Sequence, residues 1–156
     1  MKNRSSRAAF AATALLMLAA PLASAATPPP DTESHVSICG AYTADMWLDF
    51  GNSGSTATVV AKASVRQGFS PPAPAPAWYI VTAQVSGRSH DGVPVTTDSQ
   101  SLDGTYSFPG TPARKGLSVF RSSTCELTGK AIVEVACPNG GSDIKTLTVS
   151  WPRCGT

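Results

Sequence analysis

An all-β fold is predicted by three features of the sequence. Apolar residues recur at every second position in several segments, and clusters of Gly, Pro, Asn and Asp separate those segments. No stretch carries the 3.6-residue period of an amphipathic helix. An even number of cysteines, four, adds two expected disulfides.

The N-terminus precedes that pattern. Residues 1–25 read as a secretory signal peptide: Lys2, Arg4 and Arg7, an apolar run from Ala8 to Ala20, then the small residues "ASA". Cleavage is expected after Ala25, with the next bond as the alternative. The run is shorter than the roughly 20 residues of a membrane span, so no transmembrane segment is expected in the mature chain. No cysteine stands at the junction to take a lipid. No Asn-x-Ser/Thr acceptor occurs after it. A bacterial secreted or periplasmic protein fits these features. Three of the twelve Lys/Arg leave with the signal, so nine face ten Asp/Glu and the whole-chain net charge of +2 becomes −1. A near-neutral domain has no electrostatic footprint for nucleic acid or anionic lipid.

Residues 26–34, with "TPPPDTES", read as a Pro-rich flexible lead-in. Residues 35–156 are enough for a single domain with one core. In "AYTADMWLDF", Tyr42, Ala44, Met46, Leu48 and Phe50 share one face, while Thr43, Asp45 and Asp49 point the other way onto a solvated one. "GNSGS" turns the chain into "TATVVAKASVR", where Val59, Ala61, Ala63 and Val65 face inward. "GFSPPAPAPA" interrupts pairing, because proline fixes φ and donates no hydrogen bond. It reads as a stiff loop, with Pro71-x-x-Pro74 as a potential polyproline ligand. "AWYIVTAQVS" aligns Tyr79, Val81, Ala83 and Val85. Trp78 and Ile80 on its other face suggest that this face is covered too. "GVPVTTDSQ", "GTYSFPG" and "GLSVFRSS" read as three short strands, and "KAIVEVAC" with "IKTLTVSW" as a hairpin around "PNGGSD". The sum is seven to nine strands in an antiparallel β-sandwich of Ig-like or fibronectin-like architecture, with a small closed barrel as the alternative.

The four cysteines pair through that hairpin. Residue numbers paired across it sum to between about 279 and 282, the highest register placing Val133 opposite Val149 and Val135 opposite Leu147. Cys137 then sits at the turn and Cys154 at the far end, on the order of 30 Å apart at strand rise. A disulfide needs Cα atoms within roughly 7 Å. Cys154 therefore pairs with Cys125, and Cys39 with Cys137. A metal site is not expected, since no Cys/His pair has finger-like spacing and His35 and His90 are isolated. No cofactor is expected either.

Catalytic constellations are sparse. Ser89, His90 and Asp91 are consecutive in "RSHDG", and neighbours in an extended segment point to opposite faces, so they form no relay. "GNSGS" lacks the second glycine of a nucleophile elbow. Asp45 and Asp49 stand about 13 Å apart along a strand, too far for paired acid–base work. His90 acting alone or with a remote partner stays open. Arg114, Lys115 and Arg121 are the local basic cluster. Trp47 and Trp78, with Trp151, are the aromatic platform or core candidates. Trp47, Trp78, Arg114, Lys115 and Arg121 together make the candidate binding surface.

"MWLDFGNSGSTATVVAKASV", "AWYIVTA", "DGTYSFPG" and "GLSVFRSS" resemble the C-terminal β-domain of bacterial secreted phospholipase C enzymes, over Met46 to Ser123. The chain departs from that pattern in its four cysteines and in lacking an intact Gly-Pro-Asn-Gly segment. The catalytic domain of those enzymes has no counterpart here, so the resemblance implies a non-catalytic accessory module. From the residues and the resemblance together, a non-enzymatic binding or accessory role towards a protein or cell-envelope component is expected. An inhibitor of an exported protease or lysozyme, using "PPAPAPA" as its entering loop, is the alternative.

Overall fold

The computed structural model describes residues 26–68 and 73–154; the expected signal peptide lies outside them. The described chain is a β-sandwich of eight strands: β1 (Thr32–Ile38), β2 (Tyr42–Ser53), β3 (Thr56–Gln67), β4 (Tyr79–Arg88), β5 (Pro94–Gly104), β6 (Ala113–Phe120), β7 (Glu126–Ala136) and β8 (Ser142–Pro152). One sheet has the order β1-β2-β3-β6 and the other β5-β4-β7-β8. Every pairing is antiparallel. Without β1, the order is A-B-E facing C′-C-F-G in the lettering of immunoglobulin-like sandwiches, with β1 as an extra strand beside A. Two separate four-stranded sheets exclude the closed barrel.

The alternation that predicts the strands also builds the core. Tyr42, Ala44, Met46, Leu48 and Phe50 of β2 and Val59, Ala61, Ala63 and Val65 of β3 are buried. They face Tyr79, Val81, Ala83 and Val85 of β4 and Leu127, Ala131, Val133 and Val135 of β7. Burying the Val, Leu, Met and Phe side chains among them contributes about 1.5–3 kcal/mol each. Gly129 lets the sheets approach here: a Cβ on it would stand 2.9 Å from Leu48 Cδ2 and 3.1 Å from Val59 Cγ2.

Several expectations are corrected. β1 starts at Thr32, inside the stretch read as a flexible lead-in. Its inward residues Thr32 and Ser34 carry no apolar signal, and an edge position tolerates them. "GTYSFPG" is not a strand: after Gly104 the chain leaves one sheet for the other, so it can pair with neither, and Tyr106 takes φ +49°. Phe108 of that segment still packs edge-on against Tyr42, with centroids 5.9 Å apart. Ile80 is 40 % exposed, so the outer face of β4 is not covered as Trp78 and Ile80 suggested. Asp45 points outward as expected, yet it is buried beneath its neighbours rather than solvated.

The β7–β8 hairpin exists, and its paired residue numbers sum to 278, below the expected range: Val133 faces Lys145 and Val135 faces Asp143. Two successive left-handed glycines, Gly140 (φ +94°) and Gly141 (φ +78°), close the turn tightly, and Cys137 N donates to Gly141 O at 3.0 Å. Because β8 is an edge strand, its inward face need not be apolar throughout. Lys145 pairs with Asp143 at 3.1 Å, and Asp143 Oδ2 accepts the backbone N–H of Cys39 at 3.1 Å.

The two disulfides are Cys39–Cys137 and Cys125–Cys154, as the hairpin argument predicts, with Cα separations of 5.2 and 4.9 Å. Register error did not upset the pairing, because it moves the cross-strand partners by one to four residues along a strand of eleven, and Cys137 stays at the turn end and Cys154 at the far end throughout. Cys39–Cys137 joins the two sheets at one rim. At the other rim Lys115 Nζ reaches Asp98 Oδ2 at 2.6 Å, and that hydrogen bond holds the Asp98 carboxyl below its usual range.

Candidate functional site

Three surface regions bring functional side chains together. The first lies on the outer face of the sheet that contains β1, where Glu33, His35, Asp45, Trp47 and Arg66 converge from three strands. His35 sits opposite Asp45, and Glu33 opposite Trp47. His35 Nδ1 is 2.5 Å from Asp45 Oδ1, and its Nε2 is 2.9 Å from Glu33 Oε1. The hydrogen bond to Asp45 raises the His35 pKa above its ordinary value, against the desolvation that opposes it; the charges of Asp45 and Glu33 add to the rise. Asp45 also accepts from Arg66 Nε at 2.7 Å. Trp47 meets the His35 ring edge-on at 5.8 Å and donates its indole N–H to Glu33. Both imidazole nitrogens are engaged by carboxylates, so His35 presents no free base. This arrangement is an ion network across three strands of the sheet.

The second is a groove of about 430 Å³ at one end of the opposite sheet, lined by Trp78, Tyr79, Ile80, Ser101, Asp103, Gly104 and Thr105. Tyr106 follows directly, 80 % exposed and in the left-handed region, its N–H donating to Pro76 O at 2.9 Å. A bulky residue at positive φ costs of order 1–3 kcal/mol, which the surroundings must overdetermine. The Pro-rich stretch next to it is tied down in its described half. Tyr42 Oη donates to Pro74 O at 3.0 Å, and Gln67 Nε2 to Ala73 O at 2.8 Å. Pro71 of the Pro-x-x-Pro spacing lies outside the described residues.

The third is a cavity of about 370 Å³ lined by residues that include Arg88, Ser89, His90, Glu126 and the Cys125–Cys154 bridge. "RSHDG" is the β4–β5 turn, closed by Ser89 N–H to Val93 O at 2.9 Å. His90 Nδ1 lies 3.3 Å from Cys125 Sγ. Ligand-type atoms of His90, Cys125 and Cys154 come within 4.8 Å of one another, but the disulfide leaves no thiolate for a metal.

The five residues of the expected binding surface do not form one patch. Trp47 and Arg114 share a cross-strand row with Lys62 between them. Lys115 turns to the rim and Asp98. Arg121 sits in the turn after β6, its Nη1 donating to Gly54 O at 3.3 Å. Trp78 lies in the groove on the other sheet. Trp151 is a core residue, 2 % exposed. Sequence reasoning missed Glu33 and His35, whose alternation in "ESH" was the available signal. It also missed Tyr106, whose backbone conformation leaves no mark in "GTYS".

Compared with protein-family models, with curated proteins and with solved structures, the chain matches none of them.

Proposed function

We propose that this chain is an exported, non-catalytic binding module that recognises a protein or cell-envelope component through the groove end of its second sheet. The observation that carries this reading is Tyr106: a large aromatic side chain held in water, at a conformational cost, beside a groove lined by Trp78 and Ile80. Tyr and Trp are enriched at the centres of protein interfaces, where an apolar body and a polar tip both find partners. Asp103 and Ser101 add polar groups at the groove wall. Two disulfides fit an oxidising compartment, and among the described residues no helix is long and apolar enough to cross a membrane. The accessory-module reading implied by the phospholipase C resemblance is the same class of function with a different origin.

Inhibition of an exported hydrolase is the second reading. Its support is the anchoring of Ala73, Pro74 and Pro76 by Gln67, Tyr42 and Tyr106, which stiffens the stretch that would enter a target's cleft. Affinity capture from culture supernatant with the mature domain tests both, with Tyr106→Ala as the matched control. A captured envelope protein that Tyr106→Ala loses supports the adaptor. A captured protease or lysozyme whose activity falls supports the inhibitor. Turnover of a generic ester, glycoside or phosphodiester that is lost in His90→Ala overturns both.

A further inference from the structure

The geometry points to Cys125–Cys154 as a thiol–disulfide exchange site, with His90 stabilising the sulfur that leaves. Cys125 is bonded, so its sulfur carries no proton. The 3.3 Å contact with His90 is therefore a hydrogen bond only if Nδ1–H donates to Cys125 Sγ. That donor is already placed where negative charge appears when the S–S bond breaks. Cys154, the other sulfur, belongs to an exposed residue on the wall of an open cavity, whereas Cys39 of the second bridge packs against the hydrophobic core.

The chain also keeps the two cysteines adjacent without the bond. Cys125 N–H donates to Arg88 O and Arg153 N–H to Cys125 O, both at 2.7 Å, so the strands β4, β7 and β8 hold the segment in register. Cys39–Cys137 independently ties the two sheets together. Opening Cys125–Cys154 therefore leaves a preorganised pair of thiols on an intact sandwich.

The exchange partner is a dithiol. Its first thiolate attacks Cys154 Sγ; a mixed disulfide forms there, the Cys125–Cys154 bond breaks, and the electron pair leaves on Cys125 Sγ under the His90 N–H. The partner's second thiolate then attacks its own first sulfur, closes the partner's disulfide and releases Cys154 as a thiolate. Two electrons pass from the dithiol to the chain, and its two protons end on Cys125 and Cys154. A lower-pKa leaving sulfur departs faster, which assigns the direction of attack to Cys154.

The test exposes the folded, oxidised protein to dithiothreitol for short times, alkylates it, and reads both disulfides by peptide mapping. Glutathione in parallel reports which sulfur takes the adduct. Cys125–Cys154 is expected to open about tenfold faster than Cys39–Cys137, with the glutathione adduct on Cys154. His90→Ala is expected to slow that opening about tenfold, and His90→Lys, which returns a side-chain N–H donor to the position, to recover part of the rate. Equal rates for the two bridges, an adduct on Cys125, an unchanged rate in His90→Ala, or a His90→Lys as slow as His90→Ala would each overturn the assignment. The comparison of the two bridges and the site of the adduct need no variant to fold.

Discussion

Phe50 and Trp151 meet edge to face across the sandwich, with ring centroids 6.2 Å apart and planes at 86°. They lie on β2 and β8, so this contact joins an inner strand of one sheet to an edge strand of the other. Trp151→Ala removes the largest fully buried side chain of the core. It is expected to cost about 3–5 kcal/mol in denaturant unfolding, and Trp151→Phe distinctly less. A loss under 1 kcal/mol for the alanine variant would mean that the edge strand can collapse onto the gap.

Thr124 is 1 % exposed, and its hydroxyl has no hydrogen-bond partner among the described residues. A buried, unpaired hydroxyl costs about 1–3 kcal/mol relative to an apolar group of the same shape. Thr124→Val is therefore expected to leave the fold unchanged and raise the unfolding midpoint. Chemical denaturation at fixed pH checks it, and a lowered midpoint would show that the hydroxyl is satisfied in solution.

The His35 network makes stability depend on pH. Hydrogen bonding to Asp45 raises the folded-state pKa of His35 above 6.5. The folded state then binds the proton more tightly than the unfolded chain, so the contribution is complete below pH 6.5 and disappears as pH rises through the folded value. The melting temperature is expected to decline above pH 6.5 by a component that His35→Gln abolishes. An NMR titration of the His35 ring checks the cause, and a midpoint at or below 6.5 would remove it.

The two disulfides should stabilise unequally. Cys39–Cys137 closes 98 residues and Cys125–Cys154 only 29. In the chain-entropy account, each contributes about 2–4 kcal/mol, and the longer loop about 1 kcal/mol more. Paired Cys→Ser variants of each bridge, compared by denaturant unfolding, read the difference directly. A larger loss for the Cys125, Cys154 pair would put the native-state geometry, rather than the unfolded chain, in control.

Period-two alternation located β2, β3 and β4, because inner faces buried against a second sheet must be apolar at every other residue, and together with the Asn-Gly turn signal it located β7 and β8. The disulfide pairing was legible for a related reason: a hairpin separates Cys137 from Cys154 whatever its register. Edge elements were less legible. β1 presents Thr32 and Ser34 inward, and β8 presents Asp143 and Lys145, since polar ends at a rim reach water or each other. The β7–β8 register came from the left-handed Gly140 and Gly141, which the apolar pattern does not encode.

By itself, then, the sequence determined β2, β3, β4, β7 and β8 of the sandwich, its two sulfur bridges and the polar nature of the "RSHDG" turn, while β1 was hidden in the proline-rich lead-in and "GTYSFPG" was misread as a strand. What it determined follows from local periodicity and chain connectivity. Only the tertiary structure decided which surface residues meet. It buried Asp45 between His35 and Arg66, scattered Trp47, Trp78, Lys115 and Arg121 over different surfaces, and set His90 against Cys125. These are contacts between residues ten to thirty-five positions apart. Their geometry depends on strand order and sheet packing, which alternation along one strand does not carry.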